Sequence, residues 1–249
     1  MIPRAVLLAL LLFPVGALGA EGNVDLVDRL GHCLSLPTEE QQRSCLETLR
    51  QEGKENPDAV RFHGTVKTYA VGSGSMAPTL LARDFIVTQR DYYRTHEPRR
   101  GEIALVRWAD GDDPTEYVKR IIGLPGDRIQ LRGGELYLND RLVARRQIED
   151  YPYRDDSAVI PLRQYIETLP QEGDAVLEYR ILKLGDSGPL DNTPLYQVPP
   201  DHYFVLGDNR DNSMDSRVLK TFGYIPRHKL TARADTVYWP LDRMGIQLH

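Results

Sequence analysis

The chain has 249 residues, which is enough to bury the core of one large domain or two small ones. Its formal net charge is −5, and this mild acidity argues against a nucleic-acid partner, because nucleic-acid-binding domains present a basic face. The 13 tyrosines, 20 glycines and 17 prolines favour strands and turns over a helical bundle.

Residues 1–20 predict a targeting segment. Residues 1–4 carry a positive charge, and residues 5–20 are uncharged and mostly Leu, Val and Ala. As a helix, residues 5–20 would span about 24 Å, which is short for a membrane crossing of about 20 residues. A cleaved secretory signal peptide and a retained membrane anchor both fit this segment. Either one places the rest of the chain outside the cytoplasm.

Residues 21–60 predict a short helical hairpin followed by a linker. Thr38 and Gln41 form a capping box at the start of the second helix. Cys33 and Cys45 then lie on different helices, and in an oxidising compartment a disulfide between them is expected. Two reduced, buried cysteines are the alternative. No histidine cluster accompanies the pair, which argues against a zinc site.

The rest of the chain predicts β-strands, because β-branched and aromatic residues dominate runs that end at turn residues. Gly133-Gly134 is typical of a hairpin turn. We expect a mostly β, antiparallel fold in which residues 61–144 and 200–249 form a main domain, and the charged, Tyr-rich stretch 145–199 forms an inserted second β-rich domain. The expected strands are 65–71, 84–89, 102–108, 116–122, 129–131, 135–138, 203–206 and 234–239.

A first candidate for chemistry is the segment 72–80, which follows a predicted strand. Its two glycines permit close approach by another chain, and Ser73 and Ser75 would be exposed at a strand end, where a nucleophile belongs. The spacing also matches a loose dinucleotide-binding fingerprint. That motif requires a helix directly after the turn, whereas the next predicted strand begins at Asp84. Taken alone, the segment also fits a plain turn.

A second candidate is the segment 116–127, which places Lys119 in a predicted strand with apolar neighbours. Lysine is rarely buried without a partner. Burial disfavours the ammonium form and lowers the pKa, and a free amine at about pH 7 to 8 is a competent general base. A solvent-facing strand lysine is the alternative when this segment is considered alone.

A third candidate is the segment 207–217, which is dense in Asp, Asn and Ser. A calcium-binding EF-hand does not fit, because the twelfth position counted from Asp211 is Phe222, where that motif needs Glu. Such a turn can form a polar network that fixes a neighbouring site. The chain has no Gly-x-Ser-x-Gly elbow and no Ser-x-x-Lys, and its six histidines lie outside these segments, so a Ser-His-Asp triad has no obvious base.

Together, in this order, the three segments resemble the motifs of the bacterial type I signal peptidase family. The resemblance extends from about residue 65 to residue 242 and is specific because four motifs occur in register. The four motifs are 73–80 for the nucleophile, 100–106 for the next strand, 117–126 for the general base and 207–217 at the C-terminal end. In addition, the stretch 185–194 is similar to Gram-negative members of the family.

The resemblance implies a serine endopeptidase that removes signal peptides with a Ser–Lys dyad. Ser75 is then the nucleophile and Lys119 its general base, and Ser213 hydrogen-bonds and orients the lysine. Ser73 would be the side-chain donor of an oxyanion hole. The implied supporting network contains Asp208, Asp215 and Arg217.

Preproteins with small residues at −1 and −3 are the implied substrates, bound as an extended strand beside the segment that leads to the nucleophile. A membrane surface is an expected second partner. Neither a metal nor an organic cofactor is implied, and no nucleic acid. The shallow apolar pockets would be lined by Val71, Met76, Leu80, Tyr117 and Val118.

Two departures from the family leave the substrate range open. Members usually have Pro where this chain has Gly72, and they carry one or two clear membrane spans where this chain offers residues 5–20. The alternative is therefore a specialised periplasmic processing protease, of the kind that matures conjugative pilin. The expected location is the periplasmic side of the bacterial cell membrane, or the periplasm if residues 1–20 are removed.

Two other classes fit less well. Self-cleaving repressors also use a Ser–Lys dyad on a β fold, but they are cytoplasmic, whereas the leader and the cysteine pair indicate export. A catalytically dead binding protein is disfavoured because Ser75, Lys119 and Ser213 are all present.

Overall fold

The structure is a computed structural model. The predicted leader at 1–20 and the predicted linker at 52–60 lie outside the residues that it describes. Among the described residues, no helix is long and apolar enough to cross a lipid bilayer. The described residues are 66–108, 115–154 and 159–248, together with scattered positions between 33 and 48.

The described N-terminal positions contain the expected capping contact. The backbone N–H of Gln41 donates to Thr38 Oγ1 over 3.2 Å, and that hydroxyl donates to Gln41 Oε1 over 3.1 Å. A disulfide joins Cys33 and Cys45, which are 12 positions apart in the sequence. The positions assigned as helical in this part of the chain are 33, 40–42, 44, 45 and 48.

Antiparallel strands dominate the described residues, which confirms the expected mostly β fold. A one-turn helix, Tyr92–Thr95, interrupts them. The strands are β1 (Val66–Ala70), β2 (Phe85–Arg90), β3 (Ile103–Arg107), β4 (Glu116–Gly123), β5 (Arg128–Arg132), β6 (Glu135–Leu138), β7 (Arg141–Leu142), β8 (Ala144–Gln147), β9 (Tyr151–Arg154), β10 (Val159–Pro170), β11 (Val176–Lys183), β12 (Tyr196–Gln197), β13 (His202–Leu206), β14 (Ile225–Pro226) and β15 (Leu230–Trp239).

The largest sheet has seven strands in the order β1-β2-β15-β3-β4-β13-β14. Among the residues that the structure describes, β1 is an edge strand that pairs only with β2, whereas β3 and β4 lie inside the sheet. Four successive residues of β3 are buried, as expected for a strand covered on both faces. β15 instead alternates between buried and half-buried residues, which is typical of a strand with one apolar face.

Two four-stranded sheets form the other lobe. One has the order β11-β10-β8, with β9 pairing along the first part of β10, and the other has the order β12-β5-β6-β7. The predicted hairpin turn joins β5 to β6, where Gly133 and Gly134 adopt φ values of +55° and +75°. Two successive positive φ values are the geometry of a type I′ turn and favour glycine.

One apolar core spans the two smaller sheets. Ile129 and Leu136 of the β5–β6 hairpin pack in the same buried cluster as Leu169 and Ile181 of β10 and β11. The core therefore continues across residue 145, where the sequence predicts a domain boundary, because both sheets turn their apolar faces toward each other. The β12 strand lies within the predicted insert but pairs with β5.

Candidate active site

Ser75 and Lys119 come from different elements and meet side chain to side chain. Ser75 lies in the loop between β1 and β2, and Lys119 lies on β4. Lys119 Nζ donates to Ser75 Oγ over 2.9 Å and to the Val118 carbonyl oxygen over 2.9 Å. The lysine side chain is buried, with 1% of its surface exposed. A nucleophile and a base within direct hydrogen-bond reach are the minimum for nucleophilic catalysis.

Hydrogen bonds at two places fix the loop that carries Ser75. The backbone N–H of Val71 donates to the Asp84 carbonyl over 2.8 Å, which extends the pairing of β1 and β2. Asn209 holds the middle of the loop, because its backbone N–H donates to the Ser75 carbonyl over 3.0 Å and its side-chain Nδ2 donates to the Gly74 carbonyl over 3.1 Å. The loop 207–217 therefore positions Ser75 through Asn209, a residue that the sequence analysis did not single out.

Burial is the main influence on the charge of Lys119. Loss of hydration lowers the pKa of Lys119 to about 8, although the carboxylates of Asp215 and Asp208 favour the ammonium form, and Arg217 disfavours it slightly. A lysine with such a pKa can take a proton from serine and return it near neutral pH.

The predicted supporting residues are buried beside the dyad as two ion pairs. Arg217 donates to both carboxylate oxygens of Asp215, each over 2.8 Å. Asp208 accepts from Arg120 over 2.9 and 2.7 Å and from the Thr79 hydroxyl. Burial alone would raise the pKa of Asp215, but Arg217 holds it below its ordinary value. The Asp215 carboxylate therefore remains charged beside Lys119.

The Ser213 hydroxyl oxygen is buried, and among the described residues it makes no hydrogen bond to Lys119, the bond that the resemblance implies. The hydroxyl faces Asp215 and, among the described residues, has no well-directed hydrogen bond. The expected bond from Ser213 is absent from this part of the chain because the amine of Lys119 is turned toward Ser75 and Val118.

Gly207 leaves room for this arrangement. A Cβ at Gly207 would clash with the Ser213 side chain and with the Ser75 carbonyl oxygen, so the close approach of the two loops requires glycine. Ser73, the expected oxyanion donor, instead donates to Ser75 Oγ over 3.2 Å. Its oxyanion role stays a prediction.

Comparison with known proteins agrees with this geometry. The profile of the family described as "Signal peptidase, peptidase S26" matches residues 59–239, which is most of the chain. The chain belongs to this signal peptidase family. It is therefore a serine peptidase.

Relatives of similar length carry the same family name. Signal peptidase I of Rickettsia prowazekii (strain Madrid E) is 32% identical over 197 residues, covering 70% of this chain and 72% of the relative. Signal peptidase I of Rickettsia akari (strain Hartford) is also 32% identical over 197 residues, covering 70% and 71%. A solved signal peptidase I from Enterococcus faecalis V583 is 25% identical, covering 57% of this chain and 97% of that one, with a TM-score of 0.29. At that TM-score the similarity carries no structural argument.

The five predicted pocket residues of this signal peptidase are not all on one face of the sheet. Tyr117 lies on the face of the sheet opposite to Val118, because neighbouring residues of a strand point in opposite directions. Its ring packs against Phe222. The pocket role of all five therefore stays a prediction. The four that pack in one apolar cluster are Val71, Met76, Leu80 and Val118.

A buried ion pair that the sequence analysis missed joins the two lobes. Arg210, in the loop 207–217, donates to both carboxylate oxygens of Glu167 on β10, and Tyr179 on β11 donates to the same carboxylate. The Arg210 and Glu167 side chains are 1% and 0% exposed. Since Asn209 is the neighbour of Arg210, this pair fixes the segment that holds the nucleophile loop.

Proposed function

We propose that the chain is a serine endopeptidase that removes N-terminal signal peptides from exported preproteins, after small residues at −1 and −3. Ser75 is the nucleophile and Lys119 the general base. The observation that carries the proposal is the 2.9 Å contact between the serine hydroxyl and a buried lysine whose pKa is lowered to about 8. The membership of the signal peptidase family supports the substrate class.

The proposed reaction has two halves. Neutral Lys119 takes the proton from Ser75 Oγ as that oxygen attacks the scissile carbonyl carbon, and the Ser75 backbone N–H and the Ser73 hydroxyl stabilise the oxyanion. The resulting lysine ammonium gives its proton to the leaving amine, which departs and leaves the signal peptide as an acyl ester on Ser75. Lys119 then takes a proton from water as the water attacks the ester carbon. The Lys119 ammonium returns this proton to Ser75 Oγ as the ester C–O bond breaks, which releases the signal peptide and restores the free enzyme.

The edge of β1 supports an extended mode of substrate binding. Within the described part of the chain, β1 pairs on one side only, with β2, and it leads directly into the loop that carries Ser75. An extended signal peptide can therefore add as a strand beside β1, with main-chain hydrogen bonds providing affinity and alternate side chains entering pockets. Small residues at −1 and −3 suit this mode because they project to the same side of such a strand.

Exposed apolar side chains support a membrane surface as a second partner. Trp108 is 37% exposed, and its indole N–H donates to the Thr221 carbonyl. Leu219, two residues before Thr221, is 45% exposed. Met214, which is 47% exposed, follows Ser213 directly. Tryptophan and large apolar side chains favour the interface between lipid and water. We place the enzyme outside the cytoplasm, at the periplasmic membrane surface or in the periplasm.

Cleavage of preproteins by single variants tests the dyad. Ser75→Ala and Lys119→Ala should each reduce turnover by at least about a thousandfold while leaving the fold intact, because each removes a reacting group. Ser187→Ala, at an exposed position in the loop between β11 and β12, is the matched control and should keep wild-type turnover. Wild-type turnover in either dyad variant would overturn the assignment.

Substrate specificity is tested separately with preproteins that differ only at −1 or −3. Cleavage should be lost when either residue becomes Trp. A panel of unrelated preproteins distinguishes a general signal peptidase from a specialised processing protease, since the latter would cleave one class only.

A further inference from the structure

Tyr153 of β9 covers the residue that precedes the nucleophile. Its phenol ring packs so closely over Gly74 that a Cβ added there would clash with the Tyr153 hydroxyl and its ring carbon. Asn212 Nδ2 donates to the same hydroxyl over 3.4 Å. A side chain of the smaller lobe therefore lies directly beside Ser75, although the proposed reaction gives it no role.

The ring of Tyr153 is held in place by packing. β9 pairs with the first part of β10, with Tyr153 opposite Ile160. Tyr153 borders a buried apolar cluster that contains Ala77 of the nucleophile loop and Leu182 of β11. Tyr153 is only half-buried, so part of its surface is open to solvent. A rigid ring in such a position is a fixed wall for any chain that passes Ser75.

The two flanks of Ser75 differ in what they offer a substrate. One flank is formed by β1 and Val71, where the proposed signal peptide strand lies. Tyr153 does not belong to the cluster of Val71 and Met76: it packs on Gly74 and borders a different cluster, which contains Ala77. Asn212 donates to its hydroxyl. When a signal peptide fills the side of β1 up to Ser75, the side bordered by Tyr153 is left for the residue that follows the scissile bond.

We propose that Tyr153 is a specificity-determining residue that limits the size of the substrate residue at +1, directly after the scissile bond. The inference rests on the proposed function and adds that the enzyme also discriminates by the first residue of the mature protein. A small +1 side chain passes the ring, whereas a large one must displace a ring that is packed on Gly74 and Ala77. Such steric differences typically change kcat/KM by about 10-fold to 200-fold.

Preproteins with Ala at −1 and −3, and with either Ala or Trp at +1, test the proposal. The wild-type enzyme should cleave the +1 Ala substrate at least about tenfold faster, as kcat/KM. Tyr153→Ala should bring this ratio close to one, and Tyr153→Phe should keep it, because the ring sets the limit. Tyr153→Trp should widen the ratio and serves as the second variant if Tyr153→Ala does not fold. Tyr151→Ala is the matched control, since Tyr151 lies on the same strand and borders the same cluster.

The outcomes separate this inference from the proposed function. A ratio that does not change in Tyr153→Ala, that changes equally in Tyr151→Ala, or that is lost in Tyr153→Phe overturns the assignment to the ring. The preference for Ala over Trp at −1 should be the same in the wild type and in Tyr153→Ala. If the wild type shows no −1 preference or cleaves no preprotein, the proposed function fails, and this inference fails with it.

Discussion

The carboxylate of Asp215, held by two hydrogen bonds from Arg217, is the charge that most strongly favours the ammonium form of Lys119. Burial acts in the opposite direction and outweighs it, so the pKa of Lys119 is about 8. The site thus balances two needs. The lysine must be neutral to take a proton from serine, and it must be basic enough to carry that proton to the leaving amine.

The first prediction concerns the pH dependence of cleavage. At pH 7, a lysine with a pKa of about 8 is neutral in about one molecule in ten. Because only neutral Lys119 can act as the base, kcat/KM should rise with pH in a single step whose midpoint lies near pH 8, and it should fall in acid. The measurement is kcat/KM from pH 5 to pH 10, where the midpoint reports the free enzyme. A rate that still climbs at pH 10 would contradict the role of Lys119.

The second prediction concerns the stability cost of this lysine. Its folded-state pKa of about 8 lies below the ordinary value of 10.5, so the unfolded chain binds the extra proton between these values. Below pH 8 the difference costs the folded state about 3 kcal/mol, and this cost disappears as pH rises toward 10.5. Lys119→Met, of similar length, should therefore raise the free energy of unfolding by up to about this amount at pH 7 and by little at pH 10.

Urea unfolding at the two pH values measures this effect. Lys67→Met, at an exposed position on β1, is the control and should show no such pH dependence. A Lys119→Met variant that is no more stable than the wild type at pH 7 would show that the lysine is better hydrated than its burial indicates.

The third prediction concerns Ser213. Its buried hydroxyl lacks a well-directed hydrogen bond within the described residues, so Ser213→Ala should not lower stability. Cleavage should fall by less than about tenfold, because any bond to Lys119 formed during catalysis is worth about 1 kcal/mol. Ser216→Ala is the control: Ser216 Oγ accepts from the buried Val205 N–H over 2.9 Å, so its loss should destabilise the fold. If Ser213→Ala were as inactive as Lys119→Ala, Ser213 would have a larger role.

The fourth prediction concerns the ion pair between the lobes. Glu167→Gln leaves Arg210 buried with an unpaired charge, so the free energy of unfolding should fall by about 3 to 5 kcal/mol. Arg210 lowers the pKa of Glu167 below the ordinary value of 4.5, although the burial of Glu167 acts in the opposite direction. The ionised Glu167 therefore contributes its full stabilisation above about pH 4.5, and this stabilisation is lost as pH falls through the lowered pKa of the folded state. The control is Asp91→Asn, which breaks an exposed pair with Arg94 and should change stability by less than about 1 kcal/mol.

Chemical denaturation at pH 7 and pH 4 measures both aspects of the fourth prediction. An effect of Glu167→Gln no larger than that of Asp91→Asn would mean that the buried pair does not tie the lobes together.

Local patterns predicted much of this molecule. β-branched runs located most of the strands, and Gly133-Gly134 identified a hairpin. These signals lie within a few residues of the sequence, where propensity and spacing are informative. Ser75 and Lys119, which the fold brings to 2.9 Å, were selected by the resemblance of several motifs in register and not by any one local pattern.

What the sequence did not reveal depends on contacts between distant segments. Nothing in the sequence distinguishes Glu167 from other strand residues, and its role depends on the contact with Arg210 that the fold creates. Likewise, nothing distinguishes Tyr153 from the other tyrosines among the 13 in the chain, and only the fold places it over Gly74. The resemblance to the family implies that Tyr117 and Val118 line the same pockets, yet as neighbours on a strand they point to opposite faces of the sheet.

The apolar core that crosses residue 145 has a consequence for how the enzyme can vary. Ile129 and Leu136 are fully buried in a cluster that also contains Leu169 and Ile181 of the insert. Deleting the insert would remove part of this cover and would also remove Glu167, the counter-ion of Arg210. Loss of the insert should therefore cost stability in the part of the chain that remains, whereas loops and exposed strand surfaces can vary at less cost.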